Sequence, residues 1–230
     1  MSGARVRRSR RERVSRRPGD AGAPTKGALT RRAILDAAIA RFGREGYRAT
    51  AVADIARDAA IGGSLAYAYF PSKEALFFAA VDEDAAAVIR EGVDTIIDSG
   101  DVQEWRRTLI FTLIEALEHH PLARRLLAGL EPEVTARVLG IPALSELRKA
   151  CAERLRAEQM RGFVRRDIDP VVVANGLVAI MLSLLMSVVQ IGLTAVELYA
   201  EDIAAVLEAA IGAKPAIEAR PAIEAKPASG

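Results

Sequence analysis

The sequence predicts an all-α protein, with a small N-terminal three-helix head bearing a helix-turn-helix and a larger helical body behind it. Three observations point there. Apolar residues recur at helical spacing through most of the chain. Pro, Gly and Ser-Gly pairs stop the pattern at intervals suited to separate helices. Within residues 30–70 three short helical patterns follow one another, the second and third joined by a tight turn at Ile61-Gly62-Gly63.

Composition narrows the function classes. The chain has 230 residues, 51% of them hydrophobic, enough for a substantial core. Cys151 is its single cysteine, which excludes a disulfide framework and a cysteine-based zinc site and fits a reducing cytoplasm. His119 and His120 are its only histidines, so no histidine-rich metal site is expected, and no cofactor. No apolar core follows the basic N-terminus, so no secretory signal peptide is read there. The net charge of +2 hides an asymmetry. Residues 1–73 hold 16 Lys and Arg against 6 Asp and Glu, whereas the other 157 residues hold 16 against 24. A basic front on an acidic body suits a front that meets a polyanion.

The elements follow in order. Eight arginines between Arg5 and Arg17, then Pro18-Gly19 and Pro24, read as a disordered arm over residues 1–28. Thr30 is the candidate N-cap of the first helix, with Ile34, Leu35, Ala38 and Phe42 on its apolar face and Gly43 and Gly46 ending it. Thr50 is the candidate N-cap of the second, with Val52, Ile55, Ala56 and Ala59 inward. The third begins near Ser64, and Pro71 stops it. Ser72 caps a long helix over 73–98. Asp101 caps a helix over about 102–119, shorter helices lie between 121 and 140, and another covers 142–161. Asp169-Pro170 opens the most apolar stretch, Val171–Leu193, and Glu197–Ile211 is amphipathic. The Pro-interrupted tail over 213–230 is not expected to fold alone. The division is therefore arm 1–28, head 29–75, body 76–212 and tail 213–230.

Val171–Leu193 is long enough to span a bilayer, but Asn175 and Gln190 interrupt it and no basic flank marks an inside loop. Gly176, Ala179, Ser183 and Ser187 fall on roughly one face, where small residues let helices approach closely. The stretch is read as a buried interface helix, not a membrane span. No Gly-x-Ser-x-Gly, phosphate loop or His-Glu-x-x-His occurs, so no enzyme is expected.

The run Thr50-Ala-Val-Ala-Asp-Ile-Ala, then Ala60-Ile-Gly-Gly-Ser-Leu-Ala-Tyr67-Ala-Tyr69-Phe70-Pro-Ser-Lys73-Glu-Ala-Leu76, resembles the tetracycline-repressor (TetR) family, as does Ile34 to Tyr47 upstream. The chain departs from the family pattern at Gly62, often Ser or Thr, and at Ala68, often larger. The resemblance covers about residues 30–78 and implies a cytoplasmic, homodimeric transcriptional regulator, usually a repressor, that binds double-stranded DNA at a palindromic operator. Under it the third helix enters the major groove with Gly63, Ser64 and Leu65 foremost. Tyr67 stacks along the groove, bonds a phosphate or fills the head's core; Tyr69, Lys73 and Thr50 are backbone contacts. Val171–Leu193 pairs with Glu197–Ile211 as half of a four-helix dimer interface involving Gly176, Ala179, Ser183, Ser187, Ile203 and Leu207. A pocket for an unidentified small hydrophobic ligand is implied in the body, with Trp105, Leu109, Phe111, Leu113, Met160, Phe163, Met181 and Leu185 as candidate walls. The alternative from the residues is a nonspecific, nucleoid-type DNA-binding protein driven by the Arg-rich arm.

Overall fold

The structure is a computed structural model that describes residues 25–98, 104–132 and 140–212. Among the described residues all the regular structure is helical: α1 (Lys26–Ala49), α2 (Val52–Asp58), α3 (Gly63–Tyr69), α4 (Lys73–Asp98), α5 (Trp105–His119), α6 (Pro121–Leu127), α7 (Pro142–Arg161), α8 (Pro170–Ile191) and α9 (Thr194–Ile211). The expected all-α class holds. The proposed Asp101 cap, most of the arm and the tail lie outside the described residues.

The caps correct two expectations. The first helix starts at Lys26, inside the span read as arm, because the Thr25 hydroxyl accepts from Ala28 N at 3.2 Å. Thr30 is instead an interior residue whose hydroxyl donates to Lys26 O. Likewise Thr50 is no N-cap. Its buried hydroxyl donates to Gly46 O at 2.8 Å, and α2 starts after Ala51 without a side-chain cap. Other expected stops hold. The Ser72 hydroxyl accepts from Ala75 N, and Asp169 Oδ1 accepts from Val171 N ahead of Pro170. A stop not singled out from the sequence is Gly162, which ends α7 in the left-handed conformation at φ 83°.

Helix α1 runs through Gly43 and breaks at Gly46, where φ 83° and ψ 171° form a backbone geometry reserved almost wholly for glycine. A Cβ on Gly43 would fall 2.8 Å from Pro121 Cβ, so α1 lies tightly on the start of α6. Gly92 does the same for α4 and α5, since its Cβ would sit 2.8 Å from Leu113. Helix α4, about 39 Å long at 1.5 Å per residue, passes through both regions and packs against α1, α5, α6 and α7. Its Phe77 meets the Phe42 ring edge-on at 5.0 Å and the Tyr47 ring at 4.9 Å. One buried apolar cluster thus runs from Ile34, Phe42 and Ile55 in the head to Leu113, Leu155 and Met181 in the body.

Helix α8 is long and apolar enough to cross a bilayer. Its Ala174, Leu177, Val178, Met181, Leu184 and Leu185 are buried against the rest of the body. Val172, Gly176, Ala179, Ile180 and Ser183 are exposed, so the small-residue strip is not part of this chain's own core.

Gly46→Ala is expected to lower stability by at least 1–3 kcal/mol, about the cost of that backbone region alone, because the new Cβ also comes within 2.6 Å of the Glu131 carboxylate. Urea unfolding of wild type and variant checks this; equal midpoints would mean the kink at Gly46 is not held.

Candidate nucleic-acid interface and ligand cavity

The head is a helix-turn-helix clasped from behind. Arg41 of α1 donates to both oxygens of Asp58 at the end of α2, at 2.7 and 3.0 Å, and to Glu45 one turn on. Its guanidinium holds the Asp58 carboxyl below the usual carboxylate range. The turn into α3 is made by Ala60, at φ 56°, with Ile61 N donating to Ala56 O at 2.9 Å. So the left-handed turn residue is Ala60, not Gly62 or Gly63; Gly62 has an ordinary extended backbone at φ −69°.

Helix α3 buries Ala66, and Phe70 follows it into the core under the Arg31 guanidinium, 5.1 Å from the ring centre. Its other face is bare. Gly63, Ser64 and Ala68 are exposed, Leu65 is 42% exposed and Tyr67 54%, so Tyr67 is a surface residue and does not fill the head's core. Tyr69 is half-buried, its hydroxyl over Gly27 of α1. The Lys73 ammonium lies 4.5 Å above the Tyr47 ring and 3.4 Å from Arg48 O, which fixes it at the head's edge. Gly63, Ser64, Leu65 and Tyr67 therefore share one surface with Tyr69 and Lys73 nearby in the chain. Thr50 does not join them: it is 2% exposed and its hydroxyl is already spent on Gly46 O, so its expected phosphate contact is withdrawn.

The body holds an almost wholly apolar cavity with about 60 Å³ of free space. Of the candidate walls, Leu113, Met181 and Leu185 line it. Five other candidates do not. Trp105 is fully buried elsewhere, its indole donating to Glu158, and Leu109 packs on Gly92. Burial pushes the Glu158 carboxyl up, against the pull of Arg106. Phe111 is exposed beneath Arg107, and Met160 and Phe163 are exposed at and after the end of α7. Helix phase explains this: Leu113 and Leu117 continue the buried stripe of α5, whereas Phe111 stands about 200° away from Leu113. The walls missed from the sequence include Ala85, Val88 and Ile89 of α4, Ala123, Leu126 and Leu127 of α6, Leu144 and Leu147 of α7, and Val178 of α8. Their three- and four-residue spacing was a readable signal; which cavity they shared was not.

Helix α6 touches both regions. Its cavity face is Ala123, Leu126 and Leu127, while Pro121 and Arg125 face α1. Asp84 of α4, 3% exposed, accepts from Leu122 N at 3.0 Å and Ala123 N at 2.8 Å, so a carboxylate from another helix caps α6. Its other oxygen meets His120 Nδ1 at 2.8 Å, and Glu91 lies 3.3 Å from Nε2. His120 thus does more than finish α5: it links α4 to the α5–α6 joint. Beyond α6, Glu131 accepts from Arg125 Nε at 2.7 Å and from Tyr47 N, just past the Gly46 kink.

The chain thus joins a helix-turn-helix head with an outward apolar face to a helical body that contains a cavity. Residues 34–80, which hold most of the head, match the family of bacterial regulatory proteins, tetR family. The chain is 33% identical over 155 residues to the A-factor receptor protein of Streptomyces griseus, covering 65% of this chain and 51% of that one; it spans about half the length of that curated relative. The TetR-family transcriptional regulator of Cytophaga hutchinsonii shares the fold at TM-score 0.66 and 17% identity, over 84% of this chain and 100% of that one. A γ-butyrolactone receptor described as ArpA-like does so at TM-score 0.50 and 24% identity, over 82% and 90%.

Asp84→Ala is expected to cost about 1–3 kcal/mol, because it strands two buried N–H groups of α6. Glu91→Ala, at an exposed partner of the same histidine, should change stability by no more than about 0.5 kcal/mol. Urea unfolding of both variants separates the cap from the surface contact; equal losses would count against it.

Proposed function

We propose that the protein is a homodimeric transcriptional regulator of the bacterial cytoplasm, a repressor that leaves a palindromic double-stranded DNA operator when a small hydrophobic ligand enters the body. The head runs from residue 25, the cap of α1, to residue 75, and the ligand-binding and dimerisation body covers residues 76–212. The observation that carries this reading is the double duty of α6, which walls the cavity with one face and holds α1 with the other.

The size of the cavity supplies the mechanism. Pockets for drug-sized ligands occupy roughly 300–1,000 Å³, whereas the free space here is about 60 Å³. A ligand must therefore push its walls apart. Moving Leu126 and Leu127 moves Pro121 and Arg125 on the same short helix, and with them the grip on Gly43 and Tyr47. A ligand shifts the DNA-binding geometry only by its differential affinity for the two arrangements. The aliphatic lining selects for an uncharged, largely aliphatic molecule, and the name of the ArpA-like receptor makes an alkyl-bearing γ-butyrolactone a reasonable first probe.

Dimerisation uses the exposed strip of α8, where Gly176, Ala179 and Ser183 allow close approach, with Ser187, Ile203 and Leu207 at its margin. The last three are half-buried, and Leu207 packs partly on its own core.

Three measurements test this reading. Operator selection from random DNA, followed by titration at several salt concentrations, should give a palindromic consensus bound at least a thousandfold more tightly than scrambled duplex, within the range of about 10³–10⁷ for specific binders. Equal affinity for both duplexes would favour the nonspecific alternative. Val178→Phe puts a ring into the cavity and should bind operator like wild type while losing ligand-induced release; unaltered release would place the ligand elsewhere. Ala179→Arg should convert a dimer into a monomer by light scattering in detergent-free buffer. A wild-type chain that needs detergent to stay in solution would point to α8 as a membrane segment instead.

A further inference from the structure

The outward face of α3 lacks the groups that read bases by paired hydrogen bonds. The helix is Gly-Ser-Leu-Ala-Tyr-Ala-Tyr, with no Arg, Lys, Asn, Gln, Asp or Glu. Asn and Gln, which pair with adenine, are absent from residues 25–98 altogether; Gln103, Gln159, Asn175 and Gln190 are the chain's only amide side chains. Arg57, on the preceding helix, is paired with Asp54 at 2.6 Å. What α3 shows to solvent is Leu65 and Ala68, with the Tyr67 ring and the Ser64 hydroxyl beside them.

A second observation concerns Gly62 and Gly63. A Cβ at either would meet nothing within 4 Å, and neither has a positive φ. Gly62 is the N-cap of α3, a position that glycine suits, whereas nothing inside the protein requires glycine at Gly63, the first residue of the helix. A reason outside the chain remains: a surface that comes close to the bare backbone just ahead of Leu65.

We propose that this face reads thymine 5-methyl groups, so that each operator half-site carries thymine under Leu65 and Ala68. Thymine alone among the bases shows an apolar group on its major-groove edge. A leucine and an alanine gain by covering it and leave the hydrogen-bonding groups of other bases unpaired. The single hydroxyls of Ser64 and Tyr67 can each donate or accept and so suit more than one base, which leaves the discrimination to the two apolar side chains. The inference rests on the DNA-binding reading above and specifies what that same site recognises.

The test uses the full chain and the operator it selects. Each thymine is replaced singly by deoxyuridine, which removes the methyl group and keeps the O4 acceptor and the pairing. At one or more positions per half-site, affinity should fall about fourfold per methyl, the equivalent of about 0.8 kcal/mol for one buried carbon. Changing both half-sites should cost about sixteenfold on the same basis. Leu65→Ala, at an exposed position, should keep the wild-type melting temperature and bind the thymine and uracil duplexes equally at one of these positions. A consensus without thymine, or one indifferent to uracil throughout, overturns the inference alone and points to shape readout. Failure to select any consensus overturns it together with the regulator reading.

Discussion

The structure depends on the packing of α6, a helix of seven residues between the cavity and the head. So short a helix is not stable alone, since nucleation fixes several residues before hydrogen bonds accumulate. Here its first turn is held from outside by the Asp84 carboxylate of α4, its start is pressed against Gly43, and Leu122 and Leu126 are buried. Its position is therefore set by contacts with α1, α4 and the cavity together, and a change in one changes the conditions for the others.

The two sides of that helix differ in chemistry. Toward the cavity the contacts are aliphatic and non-directional, and such walls can yield to a ligand of suitable volume. Toward the head they are directional: Arg125 and Tyr47 N both donate to the buried Glu131, next to a backbone kink that only glycine tolerates. In the proposed mechanism, this deformable wall joined to a stiff polar clasp would turn a change of volume into a change of orientation. The outward face of α3 is the opposite of what the basic front of the chain leads one to expect, since its exposed side chains carry no charge at all.

Much of this was legible in the sequence. Helical periodicity and Pro, Gly and Ser stops located α4, α7 and α8 almost to the residue, because stops act through local sterics and missing N–H groups. Cap assignments at Thr30 and Thr50 failed for a shared reason. A threonine hydroxyl can accept from an N–H ahead of it or donate to a carbonyl one turn behind, and both residues do the latter. The exposed face of α3 could be read because seven residues with one buried alanine leave little choice of phase. The cavity could not: Trp105, Leu109 and Leu113 share a stripe, yet only the last reaches it.

By itself the sequence determined the helical class, the place of the helix-turn-helix, the basic front and the apolar character of both α3 and α8, all properties of neighbouring residues and their spacing. Only the tertiary structure decided that Ala60 makes the turn, that Asp84 caps a helix 38 positions away, that Glu131 holds the backbone at Tyr47 and that α6 serves cavity and head together. All but the turn at Ala60 join residues far apart in the chain. Whether a buried carboxylate finds such partners depends on the packing of whole helices, which no local pattern encodes.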